Sequence, residues 1–150
     1  MKTTLTILST LIFSLSLLSQ NKNYDEVLAK KLGADEYGMK NYVLVILKTG
    51  SNGRTDKKYI DSCFASHMKN ISKIADEGKL IVAGPISTNE KTYRGIFIFN
   101  VKTFDEANRL MEPDAAIKEK ILEPEFYKWY GSAALPEYLP THKKIEKKSH

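Results

Sequence analysis

The chain has 150 residues, with 23 Lys and Arg against 18 Asp and Glu for a formal net charge of +5. An apolar share of 42% and a charged share of 27% exclude a disordered, collagen-like or disulfide-stapled chain. One domain is expected at this length, large enough to bury about 70% of the surface its unfolded chain would expose.

Residues 5–18 (LTILSTLIFSLSLL) form an apolar run of 14, and Lys2 is the single charge before Lys22. A bilayer span needs roughly 20 such residues, so the run has the length of a signal-peptide core and is too short for a stable membrane anchor. The chain is therefore expected to be exported, to the periplasm or beyond, with residues 1–19 removed after Ser19. Cys63 is the lone cysteine, which rules out an intramolecular disulfide and suits an oxidising compartment when the thiol is buried. Loss of residues 1–19 leaves a charge of +4, of which residues 141–150 (THKKIEKKSH) hold +3, so residues 20–140 carry only +1. Residues 133–150 form a basic C-terminal tail, whose charge run at 141–150 reads as a solvated, frayed end.

The elements follow in order. Residues 20–39 form an N-terminal extension in which 24–32 (YDEVLAKKL) have helical spacing and stop at Gly33. Residues 42–47 (YVLVIL) are unbroken and rich in β-branched side chains, the pattern of a strand buried on both faces. A polar loop at 48–57 (KTGSNGRTDK) lacks the spacing of a phosphate-cradling loop. Residues 58–77 are the main helix, with an apolar stripe of Ile60, Phe64, Met68, Ile71, Ile74 and Ala75 and a stop at Gly78. Strands are expected at 80–83 and 94–101, the first closed by Gly84-Pro85. Thr103 caps a second helix, with Glu106 at the capping-box position. A turn at 115–120 leads into a last strand through Phe126, Trp129 and Tyr130. The order β-α-β-β-α-β is that of an α+β, ferredoxin-like domain with an antiparallel sheet and helices on one face. Its other sheet face is apolar as well, and a second copy of the chain is the economical cover, so a homodimer is expected.

The same topology builds RNA-recognition modules, and Arg94-Gly95-Ile96-Phe97-Ile98-Phe99 has the outline of their aromatic strand. The register is wrong, because Phe97 and Phe99 lie one residue off and point to the opposite face. With a nearly neutral domain besides, no nucleic-acid partner is expected. Nucleophile-elbow, zinc and dinucleotide motifs are lacking, and His142 and His150 lie in the tail, so no metal cage and no cofactor are expected.

His67 stands apart, because it lies in the middle of the helix stripe that faces the sheet. A buried imidazole must find a hydrogen-bond partner, since leaving one unpaired costs on the order of 1–3 kcal/mol. A backbone carbonyl would serve for packing alone, whereas a facing carboxylate would fix the tautomer and make an acid–base pair.

Four stretches, read together, resemble the YCII-related family of small α/β proteins. They are Phe64-Ala-Ser-His67; Glu77-Gly78-Lys-Leu-Ile-Val-Ala-Gly84-Pro85; Arg94-Gly95-Ile-Phe-Ile-Phe; and Asp114-Ala-Ala-Ile117-Lys118. The resemblance covers residues 40–132, and the segment from Lys31 to Met39 together with the trailing Trp129-Tyr130-Gly131-Ser132-Ala-Ala-Leu is similar to an exported bacterial branch of that family. It implies a dimer of the α/β-barrel type with a His/Asp site, which by position falls on His67 and Asp114. The family usually has Asp-Pro at the second position, so Glu112-Pro113 offers a rival alignment; the ungapped spacing back from Trp129 favours Asp114. The carboxylate has a purely structural alternative, that of capping the free amides of a following helix. Two functions are open: a small-molecule enzyme of isomerase, lyase or hydrolase type, with Arg94 as anion contact and Trp129 and Tyr130 as an aromatic wall; or a non-catalytic ligand-binding or structural module. The resemblance also admits a haem-ligating His67, although no haem-attachment motif accompanies it.

Overall fold

The alternation of β1 (Met39–Thr49) decides which side of the sheet is sealed. Val43, Val45 and Leu47 are buried, while Leu44 and Ile46 between them are half-buried. The computed structural model describes residues 21–148, and the apolar run expected to be a signal segment lies outside them. On one side β1 pairs antiparallel with β3 (Tyr93–Phe99), Val45 standing opposite Phe97. On the other it pairs antiparallel with β4 (Leu122–Ser132), Tyr42 standing opposite Trp129. The edge strand β2 (Leu80–Pro85) lies beyond β3, giving the order β2-β3-β1-β4. A 20-residue helix, α2 (Lys57–Asp76), connects β1 to β2, and α3 (Phe104–Met111) with the single turn α4 (Ala115–Lys118) connects β3 to β4. This is the ferredoxin-like arrangement that the order of elements predicts.

Local chemistry sets the helix ends. Asp56 caps α2 by accepting from Lys58 and Tyr59 amides, and Gly78 just beyond its end takes φ +68°. Thr103 and Glu106 form the expected capping box on α3. Asp25 caps α1 (Glu26–Leu32), which buries none of its residues and ends at the left-handed Gly33.

The core joins Val43, Val45, Leu47, Phe97 and Phe99 of the sheet to Ile74 of α2, Ala107 and Met111 of α3 and Ala116 of α4. Phe97 and Phe99 therefore face the helices, as their register predicts. The most buried line of α2 runs through Cys63, His67, Asn70 and Ile74, rotated from the expected stripe by part of a turn. Cys63 is thus a buried free thiol. Asn70, within a glycosylation-like Asn-Ile-Ser, spends its amide on the Leu110 carbonyl at 3.0 Å.

Three expectations are corrected. Burial of β1 is complete on the side of Val43 and Val45, which both connecting helices cover; on the other face Tyr42 is buried, while Leu44 and Ile46 are half-buried in the single chain. Part of the segment read as a turn before the last strand is helical, since Asp114 caps α4. The tail is solvated but ordered: a 3-10 turn (Leu135–Tyr138) leads to α5 (Leu139–Ile145), each with proline in its first turn. The Tyr138 hydroxyl donates to the Ile81 carbonyl of β2, and Lys143 reaches Asp76 of α2 at 3.1 Å. Among the described residues no helix is long and apolar enough to cross a membrane.

Candidate functional site

The site starts from helical spacing. His67 lies one turn after Phe64 on α2, on the face turned to the sheet, and is 6% exposed. The Phe97 ring stacks against the imidazole with centroids 5.8 Å apart and planes 27° apart. Phe64 meets it edge-on at 6.0 Å. These two rings fix the plane of the imidazole before any polar partner is considered.

That partner is Asp114, buried to 1% exposure. Its Oδ2 lies 2.6 Å from His67 Nδ1, and its Oδ1 accepts from the Ala116 amide at 2.9 Å as the cap of α4. One carboxylate therefore fills both roles left open by the sequence, pairing with His67 and capping a helix. Backbone bonds hold it at both ends, Asp114 N–H donating to Met111 and Lys118 N–H donating to the Asp114 carbonyl. Because a carboxylate only accepts, the contact assigns a proton to Nδ1, so that in the neutral form of the ring Nε2 is the acceptor. Among the described residues no protein group bonds Nε2, and no side-chain N or O atom is both sealed from solvent and unpaired. Nε2 thus keeps solvent contact at the edge of an otherwise dry pair.

The rival carboxylate is excluded by position. Glu112 follows the last residue of α3 and is exposed, with its side chain in solvent.

Arg94 of β3 lines a cleft of about 170 Å³ together with Phe64 and Ile60 of α2 and with Arg54 and Asn52 of the β1–α2 loop. Phe64 is the wall shared by this cleft and His67. Among the described residues no group of three or more His, Cys, Asp or Glu side chains is placed to hold a metal ion.

Trp129 and Tyr130 are not brought to His67. Trp129 pairs with Tyr42 across the strands, centroids 5.5 Å apart, so it lies on the face away from Val43, Val45 and the helices. The Tyr130 hydroxyl donates to Asp35 in the N-terminal extension, which pushes the phenol up to about 12. The aromatic rings packed against His67 are those of Phe64 and Phe97. Their signal is present in the sequence, Phe64 one helical turn from His67 and Phe97 in the inward register of β3. Arg54 carries none, since nothing local distinguishes one loop cation from another.

The chain matches no protein-family model and no curated protein sequence. Among solved structures it is similar to 5-chloro-2-hydroxyhydroquinone dehydrochlorinase from Burkholderia phenoliruptrix AC1100, determined in complex with 2,5-dihydroxybenzoquinone. The TM-score is 0.42 at 17% sequence identity, over 58% of this chain and 92% of that one. What the structure bears out of the family resemblance is the fold, a four-stranded antiparallel sheet with helices on one face.

Proposed function

We propose that the protein is a small-molecule enzyme of the YCII-related type, in which His67 moves a proton and Asp114 orients it. The observation that supports this most is the buried Nδ1 to Oδ2 contact of 2.6 Å with no protein partner on Nε2. A neutral imidazole held this way offers a lone pair at Nε2, takes a substrate proton there and returns it, while the carboxylate steadies the imidazolium formed in between. Proton transfer is the step that isomerase, lyase and hydrolase chemistry share, and the activity is assigned at that level.

A homodimer belongs to the same reading. Leu44, Ile46, Ile96 and Ile98 share the helix-free face and are half-buried in the single chain, and an isologous sheet-to-sheet contact would cover them. Sedimentation of the purified protein at micromolar concentration should give twice the chain mass; a monomer removes this part.

The proton-transfer role is tested by long-range ¹H–¹⁵N NMR of His67 near neutral pH. Nδ1 should carry the proton and Nε2 should show the shift of an unprotonated ring nitrogen. That signal should also move with ligands, drawn from a pool of small organic metabolites, that raise the melting temperature by mass action. An Nε2–H tautomer, or an Nε2 signal indifferent to every stabilising ligand, overturns the proposal.

One observation favours the second reading, a non-catalytic module. Asp114 Oδ1 is spent on capping α4, which a purely structural link would also require. On that reading His67→Gln lowers stability and leaves ligand binding unchanged.

A further inference from the structure

We infer that the cleft lined by Arg54, Arg94 and Phe64 binds the carboxylate of a small organic acid. Its lining combines two cations, Arg54 and Arg94, with the apolar side chains of Ile60, Phe64 and Ile121. Its volume of about 170 Å³ equals that of about six waters at roughly 30 Å³ each, which sets the ligand at the size of a short-chain acid.

The cations are available. Among the described residues neither arginine is paired with a carboxylate. The Arg54 guanidinium lies over the Tyr59 ring, 4.4 Å from its centroid, which holds it by its face and leaves its edge N–H groups to donate. Neighbouring acids are engaged elsewhere: Glu119 accepts from the Tyr59 hydroxyl at 2.6 Å, and Glu123 accepts from the Ser51 hydroxyl at 2.8 Å. Asn52 donates to the Glu119 carbonyl at 2.6 Å, pinning the loop that carries Arg54. A carboxylate matches the two-pronged guanidinium edge, whereas a neutral amide loses the charge and a cation is repelled. Phe64 is common to the cleft lining and to the packing of the His67 ring, while His67 and Asp114 do not themselves line the cleft. That the acid is a substrate rests on the role proposed for His67; that it binds does not.

The test is a ¹H–¹⁵N NMR titration of the purified protein with sodium butyrate, and with butyramide as its neutral counterpart. Butyrate should give saturable shifts at the Arg54 and Arg94 side-chain N–H signals, and butyramide should not. Arg54→Gln and Arg94→Gln, both at exposed positions whose folding is checked by melting, should each weaken butyrate binding roughly 10- to 100-fold. Arg109→Gln, at an exposed arginine of α3 outside the cleft, should leave it within about twofold. Equal binding of butyramide, unsaturable shifts, or affinities unchanged in both arginine variants would overturn the inference. If butyrate binds while the His67 tautomer measurement fails, the catalytic role falls and the anion site stands; if the tautomer is as expected and butyrate does not bind, the anion site falls and the acid–base pair stands.

Discussion

Asp114→Ala is the substitution in which the two roles of one carboxylate can be weighed. Loss of the cap on α4 costs about 1 kcal/mol. Loss of Oδ2 leaves the His67 N–H unsatisfied in a site where the ring is 6% exposed, a penalty of about 1–3 kcal/mol. The sum, about 2–4 kcal/mol, shifts a urea midpoint by roughly 1–2 M if the unfolding slope lies near 2 kcal/mol/M. Asp114→Asn keeps the volume and an oxygen for the Ala116 amide, so it should cost about half as much. Glu112→Ala, at an exposed position, should stay within about 0.5 kcal/mol. A double-mutant cycle with His67→Ala then isolates the pair, and a coupling above about 0.5 kcal/mol is expected for residues in contact. Urea unfolding followed by circular dichroism measures all of these. Coupling indistinguishable from zero, or a Glu112→Ala cost equal to that of Asp114→Ala, would refute the buried pair.

Other features give independent expectations. Backbone amide donation from Lys102 first, then Thr103, holds Glu106 below its ordinary value of 4.5. A depressed carboxylate stabilises the fold above that value and loses its contribution as pH falls through the lower folded one, so the acid-side drop in melting temperature should be shallower in Glu106→Gln; identical profiles would contradict the capping box. The hydrogen bond from Tyr130 to the Asp35 carboxylate pushes the phenol from 10.0 up to about 12, so its stabilisation is complete below pH 10.0 and disappears as pH rises through about 12. Ultraviolet titration of Asp35→Asn should move one tyrosine back toward 10.0, while Tyr59, raised to about 12 by Glu119, stays as an internal control; an unchanged curve would exclude the Tyr130 contact. Gly50→Ala would drive a Cβ into the Lys120 carbonyl oxygen, whereas at Gly53 nothing lies within 4 Å. The first should cost about 1–3 kcal/mol through overpacking and the second almost nothing by the same urea assay; equal midpoints would argue against the close approach of the two loops.

The inward seat of His67 is legible because it needs only one helix and its period. Its partner is harder to place, because Asp114 lies 47 residues away and competes with Glu112 on alignment alone. Pro113 alone separates the two acids, and the turn of α4 that Asp114 caps decides which of them enters the core. Trp129 is hidden for a comparable reason. Its aromatic character is plain, but the face it occupies depends on the register against β1, with Tyr42 opposite it, and a strand shows no preference of face when both of its sides carry apolar groups. The order of the tail escapes a reading by charge, because lysine content reports solvation and says nothing of helix starts, which Pro136 and Pro140 provide.

The sequence by itself determined the order of elements, the capping box of α3, the inward register of Phe97 and Phe99 and the burial of one histidine. Each of these follows from interactions spanning a few residues, repeating at 3.6 along a helix or at 2 along a strand. Only the tertiary structure decided that Asp114 meets that histidine, that Arg54 and Arg94 share one cleft, and that the tail returns to β2. Those contacts join groups far apart in the chain, and their formation depends on how the whole sheet and its helices pack, which no local period encodes.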